Sequence, residues 1–277
     1  MAKKQPDKLA VLGHPIAGSV LPQIFATLGK LLDRDVACRA VDADAAKLPA
    51  ALAKLVKDGF AGALLSMPLK RAGLTAGTAS AEARAIGAAN CLKLEAGGAV
   101  KAHNTEAAGF YDAVSEAGFK ARDGRAQILG SGCAARAAAY ALGRAGARQV
   151  QIWDRKMEAA ETLAMEMGRY WPDTIFSAGP CGPAELWFQA TPMGLPGFPE
   201  KLPVKKLLPG AVVAVDLVCG KPTQFLALAA ASRARALDGK GVLVYQAMRA
   251  WELWFGAVGG PGRAVLKADV MRVRKWR

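Results

Sequence analysis

No stretch of this chain approaches the roughly 18 consecutive apolar residues that a membrane-crossing helix needs, so a membrane protein is not expected. The start, Met1-Ala-Lys-Lys-Gln-Pro-Asp-Lys8, is basic, but no hydrophobic region follows it, so it does not read as a secretory signal. Cysteine pairs are missing too. Cys38, Cys91, Cys133, Cys181 and Cys219 are scattered with no Cys-x-x-Cys. That spacing argues against zinc and against a disulfide framework, and it suits a reducing cytoplasm. Acidic residues are in deficit, 23 against 37 basic, leaving a formal charge of +14. The excess is spread along the chain, with one dense patch at Arg272-Val-Arg-Lys-Trp-Arg277. No nucleic-acid motif accompanies it, so the body reads as a solvated basic surface and nucleic acid is not an expected partner, the terminal patch alone keeping that reading open through its charge. Long internal repeats and low-complexity segments are absent as well.

What is present is ample apolar material. With 52% hydrophobic residues in 277, the chain is comfortable for two packed domains. Its most informative stretch is Gln127-Ile-Leu-Gly-Ser-Gly-Cys-Ala-Ala-Arg136, followed by an alanine-rich run and then Val150-Gln-Ile-Trp-Asp-Arg155. This reads as strand, glycine turn, helix and second strand ending in an acid. Gly130 and Gly132 bracket the turn, Ser131 lies between them, and Cys133 and Ala134 open the helix. Ala134 is expected to be the small residue that lets helix and strand pack closely. The helix N-terminus offers free N–H groups and a positive dipole end to a pyrophosphate. Asp154 follows at about the 20-residue distance expected of the acid that bonds ribose hydroxyls.

Taken in order, Lys8–Gly13, Val36–Val41 and Gly62–Ser66 read as strands, with helices at Leu21–Leu32 and Ala46–Val56 between them. Strand–helix–strand–helix–strand predicts parallel pairing. Ala79–Ile86 reads as a helix. Cys91–Glu95 and Ala99–Ala102 read as a hairpin about Gly97-Gly98. Asn104-Thr105-Glu106 is expected to cap a helix running to Ala117, stopped by Gly118. Beyond Asp154, Lys156–Tyr170, Gln224–Ala236 and Leu243–Phe255 read as helices, and Leu186–Ala190 and Ala211–Asp216 as strands.

Once the glycine turn is placed, further stretches fall into one pattern. They are Val11-Leu-Gly-His-Pro-Ile-Ala-Gly-Ser19, Gly62-Ala-Leu-Leu-Ser-Met-Pro-Leu-Lys70, Ala85-Ile-Gly-Ala-Ala-Asn90, Asn104-Thr-Glu-Ala-Ala-Gly-Phe110, Ala190-Thr-Pro-Met-Gly194 and Tyr245-Gln-Ala-Met-Arg-Ala-Trp-Glu-Leu-Trp254. In this order and spacing the chain resembles the shikimate/quinate dehydrogenase family over nearly its whole length. The resemblance implies an α/β protein of two domains. One, residues 1–105 with 240–277, binds a cyclic hydroxy acid. The other, residues 106–239, is a Rossmann-type doubly wound parallel sheet that binds NAD or NADP, with a cleft between the two. It further implies reversible hydride transfer at a ring hydroxyl of shikimate, quinate or a related compound, in a monomer or homodimer of the cytoplasm.

Roles follow residue by residue. Lys70 and Glu106 are the implied catalytic pair. Ser19, Ser66, Asn90 and Gln246 are the implied substrate contacts, whereas His14 reads as a loop residue. Gly130, Ser131, Gly132, Cys133, Ala134, Asp154, Arg155, Lys156, Thr191, Met193 and Gly241 are the implied cofactor contacts. The chemistry is coherent on physical grounds. Oxidising an alcohol leaves oxyanion character on oxygen, which a nearby cation stabilises, and a lysine held by a carboxylate can exchange the hydroxyl proton.

The chain departs from the family pattern at four positions. Leu21 stands where a second serine is usual, Leu64 where asparagine is usual, Cys219 where tyrosine is usual, and Glu106 is one methylene longer than the usual aspartate. Each lost partner for a desolvated polar ligand group costs roughly 1–3 kcal/mol, so a more apolar pocket or a different substrate is expected. Asp154 favours NAD, while NADP is the family's usual cofactor and Arg155 and Lys156 can hold its 2′-phosphate. NAD is therefore expected to bind at least as well as NADP. The competing expectation is a cofactor-binding regulatory or sensor protein that kept the fold and lost efficient turnover.

Overall fold

The computed structural model describes residues 5–258 and 262–272. Two compact units divide the chain: residues up to Gly109 together with those from Leu243 onward, and Phe110–Val242. The dense basic patch beyond Arg272 lies outside the described residues.

The first unit is built on a six-stranded sheet. Its strands are β1 (Asp7–Gly13), β2 (Val36–Asp42), β3 (Phe60–Leu65), β4 (Thr78–Ala79), β5 (Cys91–Leu94) and β6 (Val100–His103), in the order β2-β1-β3-β5-β6-β4. The pairs β2-β1-β3 are parallel, as the alternation of strand and helix predicts, and β5-β6 is the antiparallel hairpin. The helices α1 (Leu21–Leu31) and α2 (Leu48–Lys57) connect the parallel strands. Each starts with proline in its first turn, where a missing N–H costs nothing. In α1, Leu21, Ile24, Phe25 and Leu28 recur at helical spacing and are buried. Because side chains alternate along a strand, Ala63 and Leu65 of β3 join Leu52 and Leu55 of α2 in one core. Gly62, on the opposite face, lies under the indole of Trp254; a Cβ there would collide with the ring.

That tryptophan comes from α8 (Lys240–Phe255), and its Nε1 donates to Leu92 O at 2.9 Å. A short helix α3 (Ala81–Ile86), capped by Ser80 Oγ, precedes the hairpin. The first-unit helix α9 (Gly262–Met271) was not anticipated from the sequence, nor was the two-residue strand β4.

The second unit holds a sheet of six parallel strands: β7 (Arg125–Leu129), β8 (Gln149–Trp153), β9 (Ile175–Ala178), β10 (Leu186–Gln189), β11 (Val213–Asp216) and β12 (Arg235–Leu237). Their order, β12-β11-β10-β7-β8-β9, reverses direction between β7 and β10, which creates a crevice at the carboxyl ends of those strands. The connecting helices are α5 (Cys133–Arg144), α6 (Met157–Tyr170) and α7 (Gln224–Ala231), while α4 (Glu106–Glu116) leads in from the first unit.

Three expectations need correction. The small residue packed between α5 and the sheet is Ala135, fully buried, and not Ala134, which is half-buried; a helix turn puts the third small position one residue later. The helix expected over Gln224–Ala236 ends at Ala231. Arg233 adopts φ +60° and turns the chain into the edge strand β12, since alanine-rich sequence suits either element and pairing with β11 decides. Strand β9 was also missed: Ile175–Ala178 is mostly half-exposed and gives no apolar run.

Candidate functional site

In the first unit, three stretches far apart in sequence are knitted into one polar cluster. Lys70 follows β3; its backbone carbonyl accepts from Ala89 N at 2.9 Å. Asn90 enters β5 with its N–H donating to His103 O and its carbonyl accepting from Leu65 N. Its side chain is engaged as well: Oδ1 accepts from Thr105 N at 2.7 Å, and Nδ2 donates to Thr105 Oγ1 at 3.0 Å. Asn104 caps α4 as expected, Oδ1 accepting from both Glu106 N and Ala107 N at 3.0 Å. Its Nδ2 donates to Ala88 O. Glu106 is thereby fixed on the first turn of α4, where the helix dipole favours its charge.

The result is an ion pair between Lys70 Nζ and Glu106 Oε1 at 2.6 Å, with side chains only 17% and 6% exposed. Two buried acceptors of the same unit have no partner among the described residues, Glu106 Oε2 and Gln246 Oε1. Gln246 sits on α8 beside α4. A Cβ on Gly109 would lie 2.5 Å from Gln246 N, so the two helices approach closely only because that residue is glycine. A buried acceptor without a donor costs about 1–3 kcal/mol, and a ligand hydroxyl would remove that cost.

The other expected substrate contacts are looser. Ser19 Oγ accepts from Leu21 N at 3.4 Å, and Ser66 is half-buried at the end of β3, its N–H donating to Leu12 O. His14 Nδ1 lies 2.8 Å from Asp42 Oδ1 in the exposed β1–α1 loop, and that contact holds the Asp42 pKa below its ordinary value. Leu21 and Leu64 are buried apolar side chains, and Cys219 is exposed on the loop after β11.

In the second unit a cavity of about 240 Å³ opens at the carboxyl ends of β7, β8 and β10. Gly130 adopts φ +109°, and its N–H donates to Trp153 O. Its missing side chain leaves room for Thr191, whose Cγ2 would be 3.0 Å from a Cβ. Gly132 caps α5 with no side-chain bond, and the first turn of α5 carries no acid, so the N–H groups there remain available to an anion. Asp154 accepts from Ser131 Oγ at 2.8 Å and from Lys156 N at 3.0 Å. Thr191 is set by Gln189 Oε1, which accepts from its N–H and its hydroxyl at 2.6 Å each. Gln189 Nε2 in turn donates to Met193 O and to the buried Asp216. Burial raises the Asp216 pKa despite the bond it accepts from Thr223.

Of the expected cofactor residues, Gly130, Ser131, Gly132, Asp154, Arg155, Thr191 and Met193 line this cavity, whereas Cys133, Ala134, Lys156 and Gly241 do not. The sequence reading missed Trp153, Phe198 and Lys201, which do. Trp153 was legible from its place before Asp154. The other two lie in a loop with no motif of its own.

A doubly wound parallel sheet with an anion-ready glycine turn at its switch point defines a nucleotide-binding α/β protein. Known proteins sharpen this. The substrate-binding domain of shikimate dehydrogenase, as a family model, matches residues 11–92. Over 262 residues the chain is 36% identical to the shikimate dehydrogenase (NADP(+)) of Xylella fastidiosa strain M12, spanning 90% of this chain and 91% of that one. The crystal structure of shikimate 5-dehydrogenase from Thermus thermophilus in complex with NADP(H) and shikimate aligns with a TM-score of 0.82 at 33% identity, covering 96% and 99% of the two chains. Ligand-free 5-ketofructose reductase of Gluconobacter sp. strain CHM43 aligns at 0.85 with 26% identity, covering 97% and 99%. The chain belongs to the shikimate dehydrogenase family.

Proposed function

We propose that this protein is an NAD(P)(H)-dependent oxidoreductase that interconverts a ring hydroxyl and a ketone on shikimate, quinate or a related cyclic hydroxy acid. The observation that carries the reading is the Lys70–Glu106 ion pair at 2.6 Å, largely shielded from solvent, together with two buried acceptors that lack a partner among the described residues, Glu106 Oε2 and Gln246 Oε1. The first unit is the substrate-binding and catalytic domain in this reading, and the second the cofactor domain. In the oxidation direction, the substrate hydroxyl gives up its proton as its carbon loses hydride. Lys70 Nζ relays the proton, passing one of its own to Glu106 Oε1 as it takes the one from the substrate hydroxyl, and its charge stabilises the oxyanion character that develops on that oxygen. Glu106 Oε1 holds the ammonium in place, and Oε2 accepts from a neighbouring ring hydroxyl. Gln246 Oε1 accepts from another, while Asn90, held by Thr105, contributes its remaining amide N–H. Ser19 and Ser66 reach the carboxylate and a hydroxyl.

The dinucleotide supplies the acceptor and donor of hydride. The glycine turn and the uncapped start of α5 suit its pyrophosphate, and Asp154 suits its ribose hydroxyls. NADP(H) accords with the names of the relatives. The Asp154 carboxylate favours NAD, so NAD is expected to bind at least as tightly. The apolar Leu21 and Leu64 shift preference toward substrates with fewer polar groups at those positions, and the likeness to a 5-ketofructose reductase supports a family that accepts ketones of more than one kind.

Nicotinamide absorbance with a panel of cyclic hydroxy acids and both cofactors tests the reading. Turnover of at least one member is expected. Lys70→Ala should cut kcat by about 10²–10⁴-fold with cofactor affinity unchanged. No turnover on any member, or full activity in the variant, would sink it. A strong preference for NADP would refute the NAD expectation alone.

A further inference from the structure

The cofactor cavity has a wall that no motif accounts for. Sheet order β10-β7-β8 puts two loops on either side of the Gly130–Gly132 turn. One, after β8, carries Asp154 and Arg155. The other, after β10, runs from Ala190 to Lys201 and, beyond the motif residues Ala190 to Met193, contributes Phe198, Pro199 and Lys201. Phe198 is 49% exposed, and it lines a cavity. A large aromatic held half in water at a cavity lip forgoes burial that a flat ligand would supply.

This loop is held in place by its own bonds. Gly194 N donates to Phe198 O at 3.0 Å, and Phe198 N donates to Leu195 O at 2.9 Å, closing a turn that Gly194 and Gly197 permit with φ of +92° and +82°. Glu200 accepts from Gln224 N at the start of α7, and Leu202 and Val204 pack on the core of the unit. Phe198 and Lys201 are thus presented on an anchored segment. Lys201 makes no ion pair among the described residues, and neither does Arg155. The cavity therefore carries two cations, Arg155 and Lys201, against the single carboxylate of Asp154.

We propose that Phe198 and Lys201 clamp the adenosine end of the dinucleotide, Phe198 stacking on the adenine and Lys201 pairing with the 2′-phosphate of NADP. Lys201 is then the specificity-determining residue that keeps NADP a ligand although Asp154 opposes its phosphate. The proposal rests on the cofactor reading above and deepens it.

Dissociation constants of NAD and NADP, measured on the full chain by calorimetry at low and high salt, test both halves. Phe198→Ala should raise both constants about tenfold, the worth of one base–aromatic stack, while Phe198→Tyr should leave both near wild type. Lys201→Gln should raise only the NADP constant, by about tenfold, with the effect shrinking at high salt as a solvent-exposed charge pair requires. Lys206→Gln, on the exposed chain beyond the cavity, should change neither. Unchanged binding in Phe198→Ala, or an equal change for both cofactors in Lys201→Gln, would overturn the clamp and leave the cofactor reading standing. A wild-type protein that binds neither cofactor would overturn both.

Discussion

Asn104 shows how much one side chain does here. It satisfies two orphan N–H groups at the start of α4, and its amide also fills a buried carbonyl at Ala88. Asn104→Ala should cost about 1–2 kcal/mol of stability from the cap alone. It should also let the first turn of α4 fray, displacing Glu106 from Lys70. Thermal unfolding and steady-state kinetics check this: a lower Tm with a kcat loss larger than any change in KM is the expected outcome, and an unchanged kcat would mean that Glu106 is held without its cap. Asn104→Asp keeps the acceptor and should recover most of the stability. The cap was readable from the Asn-Thr-Glu triplet, because capping is local chemistry. The pairing of Lys70 with Glu106 was implied by the family resemblance and by no local pattern, since 36 residues separate them and only the sheet brings them to 2.6 Å.

At the scale of elements, Glu185 ties the parallel sheet at its amino-terminal side. Its N–H donates to Arg125 O, its carbonyl accepts from Val212 N and Val213 N, and its carboxylate accepts from Arg125 N and pairs with the Arg125 guanidinium at 2.6 Å. Burial works against that carboxylate, but the bonds from Arg125 outweigh it and hold the pKa below its ordinary 4.5. The folded state thus releases the proton more readily than the unfolded chain. The pair stabilises the fold above pH 4.5, and that stability is lost as pH falls through the lowered folded value. Glu185→Gln should lose roughly 1 kcal/mol at neutral pH, the size being limited by partial exposure of both side chains, and should flatten the acid limb of a denaturation curve. An acid limb identical to wild type would show that the pair does not contribute. Element boundaries were legible where glycine, proline or a capping residue punctuates the chain. They were not legible at Ala231–Leu237, where alanine-rich sequence is indifferent and the partner strand β11 makes the choice.

At the scale of the molecule, the chain leaves its first unit near Gly109 and returns to it at Leu243. The returning α8 is structural for that unit. Trp254 covers Gly62, bonds to Leu92 O and packs on Phe25 with ring centroids 5.2 Å apart. A chain stopped after Val242 should therefore lose cooperative folding of the first unit, because the covered face of β3 and β5 would meet water. The second unit keeps its own sheet and cavity, so the shortened chain should still bind NADP. Calorimetric unfolding together with cofactor titration checks both halves: full two-unit unfolding in the truncated chain, or loss of NADP binding with the second sheet intact, would contradict the expectation.

The sequence by itself determined the two α/β units, the glycine turn and the acid after β8, because each rests on chemistry within a few neighbouring residues, whereas Lys70, Glu106, Asn90 and Gln246 were singled out only by the resemblance of their motifs to a family. Only the tertiary structure decided the contacts by which these side chains meet. Pairing of β3 with β5, and of β5 with β6, brings Lys70 to Glu106, and the close approach of α4 and α8 sets Gln246 against Gly109, three residues on from Glu106. Strand order β10-β7-β8 likewise puts Phe198 and Lys201 on the wall of a cavity whose floor is Gly130–Gly132. The reason is one of range. Backbone propensity and capping act over a helical turn, whereas side-chain contacts across a sheet depend on strand order and register, which no local stretch encodes.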